Sequence, residues 1–277
     1  MTYRSLLEVE DLRVAYAGGV QAVRGVSFRI GASEKLGIVG ESGSGKSQTA
    51  RAIAHLLPPS AHVEAQRLRF GDKDLLAMPS THRRRLRGRN IAMVMQDPHH
   101  ALNPVMRVGD QIDEVHIVHH RVSRAQARER TLQVLESLRI RDPERVCRAY
   151  PHEISGGMGQ RIMIAMMLAP EPQLLLADEP TSALDEHVAA GVLEELRRQA
   201  DLRQMALLLI SHDLDLVRSF CDRVLIMYAG RIVEACRTDE LDRATHPYTR
   251  GLLDCVPRLG SHGTRLPTLS RSAEWRQ

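Results

Sequence analysis

The chain has 277 residues, a length that fits one or two domains with a sizeable core. Hydrophobic residues make up 43% and charged residues 26%, which is a globular composition and excludes wholesale disorder. Only 3% of residues are aromatic, which argues against binding of single-stranded nucleic acid by stacked bases, and the net charge of +4 favours an anionic partner only weakly. The longest apolar runs, residues 162–169 and 205–210, are far shorter than the roughly 18–20 residues that cross a bilayer. We therefore expect a chain that does not span a membrane alone.

The N-terminus and the cysteines indicate the compartment. The first ten residues contain charges and no apolar segment, so no secretory signal is expected. No C-x-x-C spacing occurs among the four cysteines, which favours a reducing cytosolic setting over a disulfide framework or a zinc site. These cysteines are Cys147, Cys221, Cys236 and Cys255.

The first part of the chain shows strand patterns. Residues 5–30 alternate apolar and polar side chains around Gly18 and Gly19, which predicts short antiparallel strands. Residues 35–39 form a buried strand candidate that leads into a glycine-rich segment. A helix is expected from that segment through Leu57, because Pro58 follows.

From about residue 97, helical spacing replaces the strand patterns. Ser123 to Gln126 has the form of a capping box, and Leu132, Leu135 and Leu138 predict an apolar helical stripe. Strands and helices then alternate, which implies a parallel sheet with crossover connections. The expected strands are residues 174–177, 206–210, 224–227 and 232–235, and the expected helices are residues 187–200 and 214–220.

A glycine-rich segment fits the pattern G-x-x-x-x-G-K-[ST], which binds polyphosphates. Its glycines allow the backbone to wrap closely, so that N–H groups point at phosphate from the start of a helix. Lys46 is expected to reach the β- and γ-phosphates, and the Ser47 hydroxyl to hold Mg²⁺. The predicted nucleotide-binding residues are Gly40, Glu41, Ser42, Gly43, Ser44, Gly45, Lys46, Ser47 and Gln48.

Two further motifs bear on the same chemistry. The apolar strand pattern at residues 174–177 ends in Asp178, which can bind Mg²⁺, and Glu179, which can polarise an attacking water. The alternative is an ordinary acidic turn after a strand. Ser155-Gly156-Gly157 stands just before an apolar helix pattern and can present N–H groups to an anion. Alone, such a triplet is in most proteins a capped loop.

The motifs follow one another at characteristic intervals: the glycine-rich segment, Gln96, the Ser-Gly-Gly triplet, Asp178-Glu179, residues 182–185 and residues 211–213. In this order they closely resemble the nucleotide-binding subunit of ATP-binding-cassette (ABC) transporters, over residues 5–257. The resemblance implies an α/β P-loop ATPase with a RecA-like parallel-sheet core and an N-terminal antiparallel β-subdomain. It also implies a helical subdomain inserted at about residues 97–170, and leaves residues 258–277 as a C-terminal tail.

The resemblance further implies a head-to-tail dimer, in which each ATP lies between one subunit's phosphate loop and the other's Ser155, Gly156 and Gly157. Tyr16 matches the aromatic residue that stacks on adenine, although it is also consistent with simple packing on the β-subdomain. Asp185 matches the loop that crosses the dimer interface. The implied catalytic residues are Glu179 as general base, His212 near the γ-phosphate, and Gln96. The implied cofactors are ATP and Mg²⁺, with Ser47, Gln96 and Asp178 as the Mg²⁺ ligands.

Finer features resemble one branch, the ATPases of dipeptide, oligopeptide and nickel importers. They are residues 151–158, 163–166, 103–104 and 246–253. The tail lacks the paired cysteines of many peptide-importer members, which leaves nickel or a metal chelate open as cargo beside peptides. Expected partners are integral membrane permease subunits, a second homologous ATPase and, indirectly, an extracytoplasmic substrate-binding protein, with no nucleic acid. The expected location is the cytoplasmic face of the inner membrane.

Other functions explain less of the sequence. A soluble ABC ATPase acting on DNA inserts a long coiled coil before the Ser-Gly-Gly triplet. This chain has about 110 residues there and no sustained heptads. ATPases of this family that act on ribosomes carry two cassettes, and only one is visible. A P-loop kinase or GTPase leaves the triplet, Gln96 and His212 unexplained.

Two clusters remain without a role. Residues 83–89 contain five arginines, typical of a solvated surface or of contact with phospholipid or a partner protein. His116, His119 and His120 have helical spacing suited to a metal. No carboxylate motif reinforces the metal hypothesis, and a solvated or partner-facing surface is the alternative.

Overall fold

The computed structural model describes residues 5–95, 101–182 and 184–255. Gln96 and the predicted tail at residues 258–277 lie outside these ranges. The chain forms two compact units. The first takes the residues up to 79 and those from 208 onward, and the second takes residues 80–207. In the described ranges, no helix combines the length and apolar character needed to cross a membrane.

The strands are numbered in chain order. They are β1 (Ser5–Tyr16), β2 (Val20–Gly31), β3 (Lys35–Val39), β4 (His62–Glu64), β5 (Arg67–Phe70), β6 (Lys73–Asp74), β7 (Ile91–Val94), β8 (Leu174–Asp178), β9 (Ala206–Ser211), β10 (Arg223–Tyr228) and β11 (Arg231–Arg237).

The helices are numbered in the same way. They are α1 (Lys46–Ile53), α2 (Ser80–Arg89), α3 (Val108–His120), α4 (Arg124–Ser137), α5 (Pro143–Arg148), α6 (Gly156–Leu168), α7 (Glu186–Leu202), α8 (Leu214–Phe220) and α9 (Pro247–Asp254), with 3₁₀ turns at Pro151–Glu153 and Thr238–Arg243.

An antiparallel sheet in the first unit has the strand order β2-β1-β5-β6, and β4 also pairs with β1. Buried residues face each other across β1 and β2, as Val9 does with Phe28 and Val14 with Val23, because alternation places apolar side chains on one face. The predicted antiparallel pairing is confirmed. The expected short strands are wrong, since register shifts let both strands continue for 12 residues.

A second set of strands in this unit positions the glycine-rich loop. β3 pairs in parallel with β10, β10 pairs antiparallel with β11, and β9 lies on the other side of β3. α1 starts at Lys46 as predicted, but it ends at Ile53 and not at Leu57. The helix stops early because His55 adopts a φ of 53°, a left-handed conformation that helical backbone does not contain.

The second unit combines a parallel strand pair with a helical cluster. β7 and β8 pair in register from Ile91 opposite Leu174. The predicted capping box is confirmed at the start of α4, where Ser123 and Gln126 bond reciprocally. The predicted stripe is partly wrong, because Leu132 is only half-buried. The buried positions of α4 and its C-cap are Ala127, Thr131, Val134, Leu135 and Leu138.

A buried carboxylate joins α3 to α4. Asp113 is 6% exposed and accepts hydrogen bonds from Thr131 Oγ1 at 2.6 Å and from Arg128 Nε at 2.9 Å. Arg128 also donates to Asp110 at 2.8 Å, but that carboxylate is 50% exposed. Because water competes only at the exposed partner, the Asp113 contact contributes more to stability.

Asp113→Ala is expected to lower the free energy of unfolding by about 2–3 kcal/mol, because it leaves the buried Thr131 hydroxyl without an acceptor and removes the buried partner of Arg128. Asp110→Ala removes a carboxylate from the same guanidinium and is expected to cost less than about 1 kcal/mol. Urea denaturation of both variants measures the difference. Equal losses would contradict this account of the α3–α4 contact.

Candidate functional site

The glycine-rich residues 40–47 form a tight loop between β3 and α1. A Cβ atom on Gly40 would lie 2.1 Å from the Met227 carbonyl oxygen. At Gly45, where φ is +102°, a Cβ atom would lie 2.4 Å from the Ala22 carbonyl oxygen. Only glycine fits at either position. The loop therefore follows neighbouring backbone closely and leads into the N-terminus of α1, where N–H groups favour an anion.

Lys46 is folded back onto its own loop. The side chain is 5% exposed, and its Nζ donates to the carbonyl oxygens of Gly40 at 2.7 Å and Glu41 at 2.8 Å. Ser44 Oγ is buried and has no hydrogen-bond partner among the described residues. The loop thus holds a buried cation and an unsatisfied hydroxyl, which suit a polyphosphate.

A cavity of about 480 Å³ borders the same loop. Residues 41–44 form one wall, and Gln21, Arg24 and residues 228–230 form the others. Most of its lining is polar and includes backbone of the loop. This opening gives solvent and ligands access to the loop.

Tyr16 and Gln48 are brought together at the edge of the first unit. Both are half-buried, and the Tyr16 hydroxyl donates to Gln48 Oε1 at 2.5 Å. Because Tyr16 ends β1 and Gln48 lies in the first turn of α1, the hydrogen bond joins the antiparallel sheet to the helix that follows the loop.

Asp178 ends β8 in the second unit, and Glu179 follows it in the turn. Asp178 is 4% exposed, whereas Glu179 is half-buried. Glu179 has a φ of 46°, a costly conformation for a residue with a side chain, of the kind that is concentrated at functional sites. Its carbonyl oxygen accepts from the Ser182 N–H at 3.3 Å and hydroxyl at 3.2 Å. This turn fixes the direction in which the carboxylate leaves the backbone.

The Ser-Gly-Gly triplet stands at the exposed N-terminus of α6. Ser155 is the N-cap and accepts from Met158 N at 3.4 Å. A Cβ on Gly157 would lie 2.4 Å from Val188 Cγ1, so glycine allows α6 to approach α7. Asp185 caps α7 by accepting from Val188 N at 3.0 Å. Packing therefore places Ser155, Gly157 and Asp185 at neighbouring helix starts.

His212 is exposed in the turn between β9 and α8. Ser211 Oγ accepts from Asp213 N at 3.0 Å, and Asp213 caps α8 by accepting from Leu216 N at 3.0 Å. Both neighbours of His212 are thus fixed. Gln96, the remaining residue of the predicted site, lies outside the described residues.

Two residues near these motifs were not predicted from the sequence. Gln160 is 1% exposed in α6, where Arg161 is the other long polar side chain, and its amide donates to the Pro180 carbonyl oxygen, one residue after Glu179. In the sequence, an amide side chain within a mostly apolar helix pattern is the feature that could have indicated this buried hydrogen bond. Tyr248 is fully buried, and its hydroxyl accepts from Glu41 N at 3.1 Å. No local pattern points to that partner.

The two clusters without a role differ in the structure. The expectation of a solvated surface is wrong for His116, which is 4% exposed on α3. Burial is the main cause that lowers the pKa of the His116 imidazole to about 4, and the neighbouring His120 is the second cause. Among the described residues, no three His, Cys, Asp or Glu side chains are arranged for a metal.

In the arginine run on α2, Arg84 and Arg85 are exposed and Leu86 is buried. This agrees with the expected solvated surface.

Comparison with known proteins identifies the family. The family model described as ABC transporter matches residues 23–182. The chain belongs to the ABC transporter family. It is an ATP-binding subunit with the ATPase domain of that family, and its enzymatic activity is ATP hydrolysis.

Several relatives match nearly the whole chain. The probable peptide ABC transporter ATP-binding protein y4tR of Sinorhizobium fredii is 48% identical over 270 residues, which are 95% of this chain and 81% of that protein. The dipeptide transport ATP-binding protein DppD of Bacillus subtilis is 46% identical and covers 94% of this chain and 79% of its own. The oligopeptide transport ATP-binding protein OppD of Salmonella typhimurium is 45% identical, with coverages of 95% and 80%.

Solved structures share the fold. CbiO1 from Clostridium perfringens, part of the ABC transporter complex cbiONQ, matches with a TM-score of 0.75 at 27% identity, over 87% of this chain and 91% of that chain. The ATP-binding cassette MJ0796, in a dimer bound to ADP and Pi, matches with a TM-score of 0.74 at 24% identity. The match covers 84% of this chain and 98% of that chain. The predicted ABC ATPase fold is confirmed.

Gly40→Ala is expected to displace the loop, because its methyl group would meet the Met227 carbonyl oxygen. The affinity for ATP should fall at least about tenfold, which corresponds to about 1.4 kcal/mol. Titration with a fluorescent ATP analogue measures this change. Gly71→Ala is the control, since Gly71 has positive φ but nothing within 4 Å of a Cβ. Parent-like affinity of Gly40→Ala would contradict the proposed tight fit.

Proposed function

We propose that this chain is the ATPase subunit of a peptide importer, peripheral at the cytoplasmic face of the inner membrane. The glycine-rich loop around the buried Lys46 is the observation that carries the proposal. The relatives named above are called peptide, dipeptide and oligopeptide transport proteins. Those names favour peptides over nickel or a metal chelate as cargo.

ATP binding begins at the loop. We propose that the N–H groups of residues 42–47 receive the phosphates, and that Lys46 exchanges its own backbone carbonyls for the β- and γ-phosphate oxygens. Charge-assisted hydrogen bonds to phosphate are stronger than bonds to neutral carbonyls, so the exchange favours the bound state. Tyr16, held by Gln48 at 2.5 Å, is the proposed partner of the adenine ring.

Mg²⁺ is the proposed companion of ATP. The Ser47 hydroxyl, the Asp178 carboxylate and the Gln96 amide offer oxygen atoms, the ligands that Mg²⁺ prefers. Few protein ligands suffice, because Mg²⁺ at nucleotide sites takes its other ligands from phosphate and water. When bound, the ion neutralises charge on the phosphates. Asp178 is 4% exposed at the end of β8, so little water would compete with a cation for its carboxylate oxygens.

Glu179 is the proposed general base, and His212 the proposed contact of the γ-phosphate. The left-handed turn at Glu179 and the hydrogen bonds to Ser182 hold the start of the side chain in place. A carboxylate positioned in this way can accept a proton from water as it attacks. His212 lies between Ser211 and Asp213, which are held by hydrogen bonds. This restricts the positions that the His212 side chain can take relative to the phosphate.

The exposed triplet at the start of α6 supports a dimer. Ser155 and Gly156 are exposed, and their helix presents N–H groups outward. We propose that these residues and Gly157 receive the ATP held by a homologous second ATPase, with Asp185 at the same interface. A closed state thus requires ATP and two chains. The other expected component, an extracytoplasmic substrate-binding protein, acts through the permease.

Exposed apolar side chains support a permease-docking surface in the second unit. Four large apolar residues between positions 95 and 118 are exposed, two of them adjacent on α3, and apolar patches that face water are typical of protein contacts. Val105 and Val118 are the most exposed of them, at 80% and 64%. The four are Met95, Val105, Ile117 and Val118. We propose that they contact the cytoplasmic surface of the permease subunits.

The test uses the importer reconstituted in vesicles with its permease and binding protein. Glu179→Gln should retain ATP binding while hydrolysis falls by about 10²–10⁴, and ATP-driven peptide uptake should stop. ATP-bound dimers should accumulate, and adding Gly156→Asp should abolish them by charge repulsion with phosphate.

Glu186→Gln, at an exposed position in the first turn of α7, is the matched control and should hydrolyse ATP at the parent rate. Uptake of nickel but not of peptide by the parent importer would refute the proposal that peptides are the cargo. Two copies of this chain without a second ATPase in the purified importer would refute the heterodimer. Parent-like hydrolysis by Glu179→Gln would refute the general base.

A further inference from the structure

The helix α9, near the C-terminal end of the described residues, reaches back to the phosphate loop. Its start is fixed by His246, whose Nδ1 accepts from Tyr248 N at 3.2 Å. Glu234 of β11 accepts from Thr245 N at 2.7 Å just before the helix. These contacts orient the first turn of α9, and Tyr248 is fully buried there.

Tyr248 contacts the loop directly. Its hydroxyl oxygen accepts a hydrogen bond from Glu41 N at 3.1 Å, across 207 residues of sequence. Its ring lies 4.6 Å from the ring of Tyr228, centroid to centroid. Two residues after Tyr228, Gly230 donates its N–H to the Ser44 carbonyl oxygen at 2.9 Å. The loop is therefore held from α9 and from the turn after β10.

One peptide group links Tyr248 to Lys46. The carbonyl of Gly40 and the N–H of Glu41 belong to the same planar unit, so the direction of one fixes the direction of the other. The carbonyl accepts from Lys46 Nζ at 2.7 Å, and the N–H donates to Tyr248. A rotation of this peptide would turn the carbonyl away from Lys46 and would leave an unpaired N–H.

We propose that Tyr248 is a positioning residue for ATP binding, which acts through the Gly40–Glu41 peptide to hold the backbone of residues 40–47 in the orientation in which its N–H groups receive phosphate. The inference rests on the proposed ATP site at this loop. Without the hydroxyl, the peptide has more than one orientation, and part of the binding free energy is spent on ordering it. The expected loss is about five- to tenfold in ATP affinity, the size of one lost hydrogen bond.

Tyr248→Phe tests the proposal, since it removes the hydroxyl and retains the ring beside Tyr228. The dissociation constant should rise about five- to tenfold for ATP and remain unchanged for adenosine, which has no phosphate. In the ATPase assay of the reconstituted importer, KM for ATP should rise more than kcat falls. The melting temperature of the nucleotide-free protein reports any general loss of structure.

Amide hydrogen exchange tests the contact without relying on a variant alone. The Glu41 N–H should be protected in the parent protein and exchange faster in Tyr248→Phe. Thr249→Val is the matched control. It removes the hydroxyl of the neighbouring residue, which is fully buried and whose Oγ1 has no hydrogen-bond partner among the described residues, and it should leave ATP affinity unchanged.

Three results would overturn the proposal: parent-like ATP affinity in Tyr248→Phe, an equal loss of affinity for ATP and adenosine, or an unprotected Glu41 amide in the parent. The failure of the proposed ATP site looks different. In that case the parent protein itself does not bind ATP, whatever the residue at position 248.

Discussion

The close approach of the loop at residues 40–47 to its neighbours is the constraint on which the site depends. Side chains are excluded at Gly40 and Gly45 by the carbonyl oxygens of Met227 and Ala22. The backbone itself therefore faces any ligand, and Lys46 supplies the charge from inside the loop. A loop with this geometry exists before the nucleotide arrives, so little binding free energy is lost in ordering it.

In the second unit, too, a glycine without a side chain allows close packing, and this packing positions the residues of the proposed site. Gly157 allows α6 to approach Val188 of α7, and the amide of Gln160 reaches the Pro180 carbonyl oxygen. Through α6, the exposed triplet is thus linked by packing and a hydrogen bond to the turn that contains Glu179, within one unit. A shift of α6 is therefore expected to move the backbone beside Glu179, which is one physical route from the triplet to the proposed general base.

Local patterns accounted for much of the fold and of the candidate site. The loop before α1, the Ser123 capping box and the strand that ends at Asp178 depend on neighbours a few residues away, so spacing alone predicts them. The early end of α1 depends on the backbone conformation of His55, which no residue pattern specified. The short strands β4 to β7 likewise lacked a long periodic pattern.

Long-range contacts were not predictable in the same way. His116 is buried because of tertiary packing, although its spacing with His119 and His120 suggested a metal site, with a solvated or partner-facing surface as the alternative. Tyr248 has its partner Glu41 at the other end of the chain. The resemblance to a known family assigned roles from motif order, and neither Tyr248 nor Gln160 received a role from it. Both contacts depend on the tertiary fold, which brings together segments that are far apart in the sequence.

The central claim is that the loop at residues 40–47 binds the phosphates of ATP through Lys46. Calorimetric titration of Lys46→Ala with ATP, beside Lys73→Ala from the exposed strand β6, tests it most directly. The account predicts that Lys46→Ala loses ATP binding and hydrolysis while its melting temperature stays near that of the parent, and that Lys73→Ala matches the parent throughout. Hydrolysis near the parent rate in Lys46→Ala would contradict the account.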